Sequence, residues 1–265
     1  MAVEGPDGSS YDATAKLYFD AMQLCECDAT VLGVSTVEEK GAVRTVVILN
    51  QTVMHPQGGG QPTDVGTISV GDAVFKVDMV KAIGGNLDSL IYHFGEFCGG
   101  HFGVGTTCHV SVDAAKRSWY SRLHSAGHLV DDAMKICGMS LKPTKGYHFE
   151  DGPYVEYEGA VPESERVPLA KKLSETVASL IAAGSPVRVV QASYEEIPKL
   201  CGELFAAGPL MALLPKDRTT RVVIVHELGC PCGGTHVSNI KEIGKMVVTK
   251  IRVKKGKTKV SYKVE

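Results

Sequence analysis

Apolar and polar residues alternate with a period of two along much of the chain up to residue 110. The run CDATVLGVSTVEEKGAVRTVVILN reads as a strand, a turn at Lys40-Gly41 and a second strand. VGTISVGDAVFKVDMVKAI repeats the pattern around a Gly71-Asp72 turn, and TTCHVSVD closes the segment. Ahead of these, Ala15 to Met22 reads as a short amphipathic segment. Short strands at close spacing, joined by glycine-containing turns, predict a small β-barrel domain over residues 1–110.

The period changes at Asp113. Between Ala114 and Cys137 there is no proline and a single glycine, Gly127, while Trp119, Leu123, Val130 and Met134 recur at helical spacing. Asp113 suits an N-cap, and Gly138 stands where a left-handed C-terminal residue belongs. YHFEDGPYVEYEG predicts a hairpin turning near Asp151-Gly152. Glu163 to Ala183 predicts a second helix, stopped by Gly184 and Pro186. VRVVQA reads as a strand, and Ser193-Tyr-Glu-Glu196 as a capping box opening a short helix. RVVIVHEL is a further strand running into CPCGGTH, and the tail is a hairpin around Lys255-Gly256. Residues 111–265 therefore predict an α+β domain with an antiparallel sheet, and the whole chain an α+β fold.

With 265 residues the chain can bury the cores of two modest domains. No apolar run approaches the roughly 18 residues of a spanning helix. The first residues carry neither a basic nor an apolar leader region, so the expected location is cytoplasmic, with no membrane partner. Thiols stay reduced there, so most of the eight cysteines read as small buried hydrophobes. A net charge of −2 says nothing about nucleic acid, but its distribution does. Lys241 to Lys263 holds nine positive residues against one glutamate. Strand alternation puts Lys250, Arg252 and Lys254 on one face, and Lys257, Lys259 and Lys263 on one face of the return strand. With Lys255 they form a stripe that suits a phosphate backbone, or equally the solvated outer face of a hairpin.

Two short stretches carry the chemistry. His124-Ser-Ala-Gly-His128 sets two imidazoles one helical turn apart, and Cys232-Gly-Gly-Thr-His236 sets a thiol and an imidazole at the same spacing. His and Cys together are the donor set that Zn²⁺ prefers. Ser125 stands where the metalloprotease signature has its glutamate, and Cys230-Pro-Cys232 lacks the spacing of a zinc finger. Four protein donors leave open whether the metal is structural or catalytic. His55-Pro-Gln-Gly-Gly-Gly-Gln61 is neither a dinucleotide fingerprint nor a phosphate loop. Its glycines allow close backbone approach to a ligand, or simply a flexible turn between strands.

The stretches LYFDAMQLCECDATVL, HPQGGGQPTDVG, DAAKRSWYSRLHSAGHL, KGYHFEDGPYVEY and CPCGGTHVSNIKEIGKMVVTKIRVKKG resemble the alanyl-tRNA editing proteins (the AlaX family, in its two-domain form), freestanding relatives of the editing domain of alanyl-tRNA synthetase. The resemblance runs from about Leu17 to the end. It implies a β-barrel domain followed by an α+β editing domain, with Zn²⁺ held by His124, His128, Cys232 and His236 as the catalytic centre. It also implies a trans-acting hydrolase that removes a wrong amino acid, chiefly serine, from the alanine tRNA, working as a monomer or weak oligomer. Gly58, Gly59, Gly60, Gln61 and Ser125 become candidates for substrate binding. Many members carry threonine where this chain has Ser125, and Cys230 lies close enough in sequence to compete with Cys232. A zinc-stabilised tRNA-binding module, or an inactive partner of a synthetase, uses the same ligands and basic hairpin.

Overall fold

The computed structural model describes residues 2–84 and 89–265. They form a mixed α/β chain whose sheets are mostly antiparallel. Two compact units emerge: Met1–Gly58 with Pro62–Ser118, and Gly59–Gln61 with Trp119–Glu265. The division falls inside the first long helix rather than at residue 110, and it assigns the end of the glycine-rich segment to the second unit.

In the first unit, six strands are β1 (Glu26–Glu39), β2 (Ala42–Leu49), β3 (Gly66–Val70), β4 (Ala73–Ile83), β5 (Leu90–Cys98) and β6 (Thr107–Val112). They are hydrogen-bonded in the order β6-β1-β2-β5-β4-β3, and β6 pairs with β3 as well as β1, which closes the ring. Inward positions include Val31, Val47, Leu49, Ile68, Phe75, Val80, Ile91 and Val110, all fully buried. Each such side chain contributes roughly 1.5–3 kcal/mol by leaving water. β5 is a strand that the two-residue period does not announce. Leu90 through Phe94 are buried on both faces, so alternation is lost. The Ala15–Met22 segment yields only a two-residue strand and a short 3₁₀ turn at Leu17–Phe19, because Tyr18 turns inward against the His55 ring.

Two buried polar clusters mark this unit. Asp64 receives Arg117 through Nε at 3.1 and 3.0 Å and the His55 amide at 2.6 Å, while Arg117 also donates to the carbonyls of Met22, Leu24 and Val53. Both partners are excluded from solvent, so the pair persists only because these extra bonds satisfy it. His93, also buried, donates from Nδ1 to the Val47 carbonyl at 3.1 Å and accepts at Nε2 from the Thr52 hydroxyl at 2.9 Å.

The second unit begins its regular structure with α1 (Ala114–Ile136), whose first residues lie in the first unit. Asp113 caps it, its Oδ1 accepting the Lys116 amide at 3.0 Å. Then come β7 (Lys142–Tyr147), β8 (Tyr154–Glu158), α2 (Glu163–Ala183), β9 (Arg188–Ala192), β10 (Thr220–Ile224), β11 (Gly229–Pro231), β12 (Met246–Lys254) and β13 (Lys257–Val264). β7-β8-β13-β12 form one sheet and β9-β10-β11 another. Leu123, Leu129 and Val130 of α1 and Leu173 and Val177 of α2 share a core with Val155, Tyr157, Ile251, Val260 and Tyr262 of the four-stranded sheet. β10 stops at Ile224, short of the predicted Leu228. The amides of Glu227 and Leu228 are taken by Asp132 Oδ1 at 3.1 and 3.0 Å and leave the ladder. The Ser193–Glu196 box is half made. Glu196 accepts the Ser193 amide at 2.8 Å, but the helix begins only at Ile197.

The neutral His93 ring has both nitrogens satisfied, and burial pushes its pKa down to about 4. The unfolded chain takes up this proton near the ordinary histidine value while the folded chain does not. Stability is therefore fully present above that value and is lost as pH falls towards 4. His93→Gln is expected to reduce the loss of urea-unfolding free energy between pH 7 and pH 4.5 by on the order of 2–3 kcal/mol. The same pH slope in both proteins would mean that His93 is not responsible.

Candidate metal centre

α1 places Ser121, His124, Ser125 and His128 on one buried face, at the three- and four-residue spacing of a helix. The loop after β11 returns Cys232 and His236 to that face. The donor atoms of His124, His128, Cys232 and His236 all lie within 4.8 Å of one another. Cys232 Sγ is 3.5 Å from His124 Nε2 and 3.4 Å from His236 Nε2. A tetrahedron with ordinary zinc–nitrogen and zinc–sulfur bonds has a sulfur–nitrogen edge of about 3.6 Å, which the two Cys232–imidazole separations match, so the group could hold a metal ion of this kind. Cys230 is outside this group; it packs with the core of the three-stranded sheet.

The orientation of the ligands is fixed by groups behind them. Gln61 Oε1 accepts the Thr235 amide at 2.9 Å and faces His124 Nδ1 at 2.8 Å, while Gln61 Nε2 donates to the Thr235 hydroxyl at 2.9 Å. A backbone N–H can only donate, so the atom it meets is the amide oxygen, and His124 must carry its proton on Nδ1. Its Nε2 lone pair is thereby aimed at the cluster. Ser121 bonds the Thr235 hydroxyl at 2.8 Å and completes this network. Ser125 Oγ lies 3.1 Å from His236 Nδ1 and accepts the Val237 amide at 3.1 Å. The Ser125 hydroxyl thus contacts a candidate ligand and the loop behind it.

Burial sets the protonation states. It pushes the His128 imidazole down to about 4 with help from Arg221, which keeps it neutral as a ligand must be. The Cys232 thiol is raised by burial, against the pull of the Gly234 amide, which donates to Sγ at 3.3 Å, and of Arg221. Arg221 holds the loop from below by donating to the carbonyls of Cys232 and Gly234. A Cβ on Gly234 would come within 2.2 Å of the His124 ring, so the loop can pack on the imidazole only because that residue is glycine.

Two further groups had gone unassigned in the sequence. His148 stacks on His124 with centroids 4.6 Å apart. Its Nδ1 donates to the Tyr262 hydroxyl at 2.7 Å, which in turn donates to the Leu123 carbonyl at 2.8 Å. Burial pushes its pKa down to about 3. A Cβ on Gly127 would come within 2.2 Å of that ring, which accounts for the lone glycine in the helix. The second group is Asp131, one helical turn from His128, whose carboxyl accepts the Tyr157 hydroxyl at 2.6 Å and is raised to about 7 by burial. Asp131 and His128 line a cavity of about 270 Å³ with Tyr157, Leu141, Phe205 and Cys230. Strand alternation placed His148 on the inward side of its hairpin, and that was the available signal; Asp131 had none.

Of the glycine-rich segment, Gln61 joins the cluster. Gly60 accepts the His148 amide at 2.8 Å, and Gly59 lies beside it in the second unit. Gly58 belongs to the first unit. Lys250, Arg252, Lys254, Lys255 and Lys257 are solvent-exposed and Lys259 half-buried on the β12–β13 hairpin.

Two family models match the chain: tRNA synthetases class II (A) over residues 7–116, and the threonyl and alanyl tRNA synthetase second additional domain over residues 220–260. The second span contains Cys232 and His236. An alanine–tRNA ligase of Methanosarcina acetivorans is 28% identical over 257 residues, covering 94% of this chain and 25% of the relative. One from Archaeoglobus fulgidus is 29% identical over 254 residues, 92% and 25% respectively. One from Leptospira borgpetersenii is 30% identical over 206 residues, 77% and 21%. The chain thus spans about a quarter of the length of these relatives. Fold and matches together define a module shared with class II tRNA synthetases. Within that class, the chain is similar to the alanine–tRNA ligases and to their second additional domain, as an alanyl-tRNA editing protein is.

Removing the Gln61 side chain leaves the His124 ring free to turn and two buried groups unpaired. Gln61→Ala is expected to weaken zinc binding by about 10–100-fold in competition with a chromogenic chelator. An unaltered affinity would show that Gln61 does not orient the ligand.

Proposed function

We propose that the chain hydrolyses the ester of mischarged alanine tRNA, chiefly seryl-tRNA, at a Zn²⁺ held by His124, His128, Cys232 and His236. The observation that carries this reading is the convergence of the four donor atoms within 4.8 Å of one another, with Cys232 Sγ 3.5 and 3.4 Å from two imidazole nitrogens. When bound, zinc supplies Lewis-acid polarisation and acidifies water. An aminoacyl ester is already activated, so the protein has mainly to position it and meet the developing negative charge. His124 and His236 are held for coordination by Gln61 and Ser125. The amides of Gly59 and Gly60 are candidate donors to the substrate. The cavity beside His128 offers room for the aminoacyl end, with Asp131 as a polar group on an otherwise largely apolar wall. Serine would be preferred over alanine if a buried polar group pairs with its hydroxyl, because alanine leaves that group unpaired.

One feature favours a second reading. Four protein donors already complete a tetrahedron, as in structural zinc sites, which fits a zinc-stabilised tRNA-binding module. Deacylation of seryl and alanyl esters on the alanine tRNA, with zinc-loaded protein, separates the two. Loss of the seryl ester with the alanyl ester spared supports the hydrolase. Stoichiometric zinc with both esters intact supports the binding module. His124→Ala and Cys232→Ala are expected to lose zinc and to lower deacylation at least about 100-fold together. Normal zinc and normal rates in both would overturn the ligand assignment. Lys254→Glu with Lys257→Glu is expected to weaken tRNA binding and reduce its salt slope by about one to two while zinc content stays constant. An unchanged slope would make the stripe a solvated face.

A further inference from the structure

The face of the four-stranded sheet turned away from the two long helices carries an ordered row of rings. Tyr147 of β7 lies directly opposite Tyr154 of β8, and their rings stack 5.3 Å apart at 20°. Phe149, just beyond the end of β7, continues the stack on Tyr147 at 4.6 Å and 18°. At the other end the Lys259 ammonium sits 3.9 Å over the Tyr154 ring. The Tyr147 hydroxyl donates to Asp151 at 2.9 Å, which fixes the middle ring. The alternate residues His148 and Val155 point into the core, so these rings belong to the outer side and are only half-buried.

Cations outnumber carboxylates on the strands beside the row, while Glu150 and Asp151 lie at its Phe149 end. Glu156 is paired with Lys257 at 2.8 Å, and that ammonium holds its carboxyl below the usual range. Lys145, Lys250, Arg252 and Lys254 are exposed on the same sheet, with Lys145 opposite Glu156 and Arg252 opposite Lys259. A solvent-facing stack bordered by cations contributes little to a core, but it matches the two requirements of unpaired RNA: π-faces for bases and positive charge for phosphates.

We infer that the row Phe149–Tyr147–Tyr154, with Lys259 and the surrounding Lys and Arg residues, is a base-stacking platform for a single-stranded RNA segment, with Phe149 as the plane on which the first base lies. Resting on the proposed hydrolase reading, that segment is the unpaired 3′ end bearing the ester. Phe149 is next in sequence to His148, whose ring packs on His124 from the inner side of the sheet.

The test uses the zinc-loaded full chain with a fluorescent unstructured oligoribonucleotide of about eight nucleotides and, as control, a blunt RNA duplex. Phe149→Ala and Tyr147→Ala are expected to weaken single-strand binding about tenfold while duplex binding stays within about twofold. Phe149→Leu, which keeps apolar bulk without a ring, is expected to lose affinity as the alanine variant does, and Phe149→Trp to retain it. The chain has one tryptophan, so fluorescence of the Phe149→Trp protein is expected to quench on adding the oligonucleotide more than the parent's does. Unchanged single-strand affinity in the alanine and leucine variants, or no added quenching in the tryptophan variant, would overturn the platform. Hydrolysis is not needed for either readout. An inert chain that still quenches sinks only the hydrolase reading, and an active chain that does not quench sinks only the platform.

Discussion

The arrangement around the candidate metal centre depends on one primary amide. Gln61 Oε1 takes two N–H groups at once, one from the Thr235 backbone and one from the His124 ring, while its Nε2 donates to the Thr235 hydroxyl. Three stretches far apart in sequence are thus set by one side chain. Because the backbone donor leaves the amide a single orientation, the imidazole is left a single tautomer. Neither His124 on its helix nor Cys232 and His236 on their loop has a reason of its own to face the other. The buried amide supplies that reason, and it is costly to break because every group it satisfies is cut off from water.

Reading the sequence located the four donors, since His-x₃-His on a helix and Cys-x₃-His after a strand are local patterns. The bounds of α2 and the two tail strands were legible for the same reason: caps, glycines and alternation are written within a few residues. What surrounds the donors was less legible. His148 and Arg221 reach the site through long-range packing, while Asp131 follows His128 by one helical turn, a spacing too common to mark it. Ser125 was visible as a hydroxyl beside a ligand, but its partner, His236, lies 111 residues away and could be found only in three dimensions. β5 escaped because both its faces are buried, and a strand without alternation leaves no period to detect.

The two units handle buried polarity differently. In the first, Arg117 and Asp64 satisfy one another and several carbonyls, and His93 stays neutral between a hydroxyl and a carbonyl. These groups are closed: each donor and acceptor described has a protein partner. In the second, the imidazoles of His124, His128 and His236 bring their donor atoms, with the Cys232 sulfur, within 4.8 Å of one another. A set of neutral imidazoles and a thiol crowded together has no mutual proton arrangement that satisfies all of them, and a cation relieves the conflict.

Gly127 in the helix and His148 just past the end of β7 form the two halves of one close contact, in which the ring occupies the space a side chain would need. The pair is therefore a lock with two halves. A larger residue in the helix can be accommodated only by a chain that has also given up the ring, and a smaller residue in place of the ring opens a hollow beside His124 that the helix glycine cannot fill. A side chain at position 127 meets the His148 ring first and the Tyr262 hydroxyl next, at 3.0 Å. Position 127 is thus free to vary only in step with position 148, although 21 residues separate them.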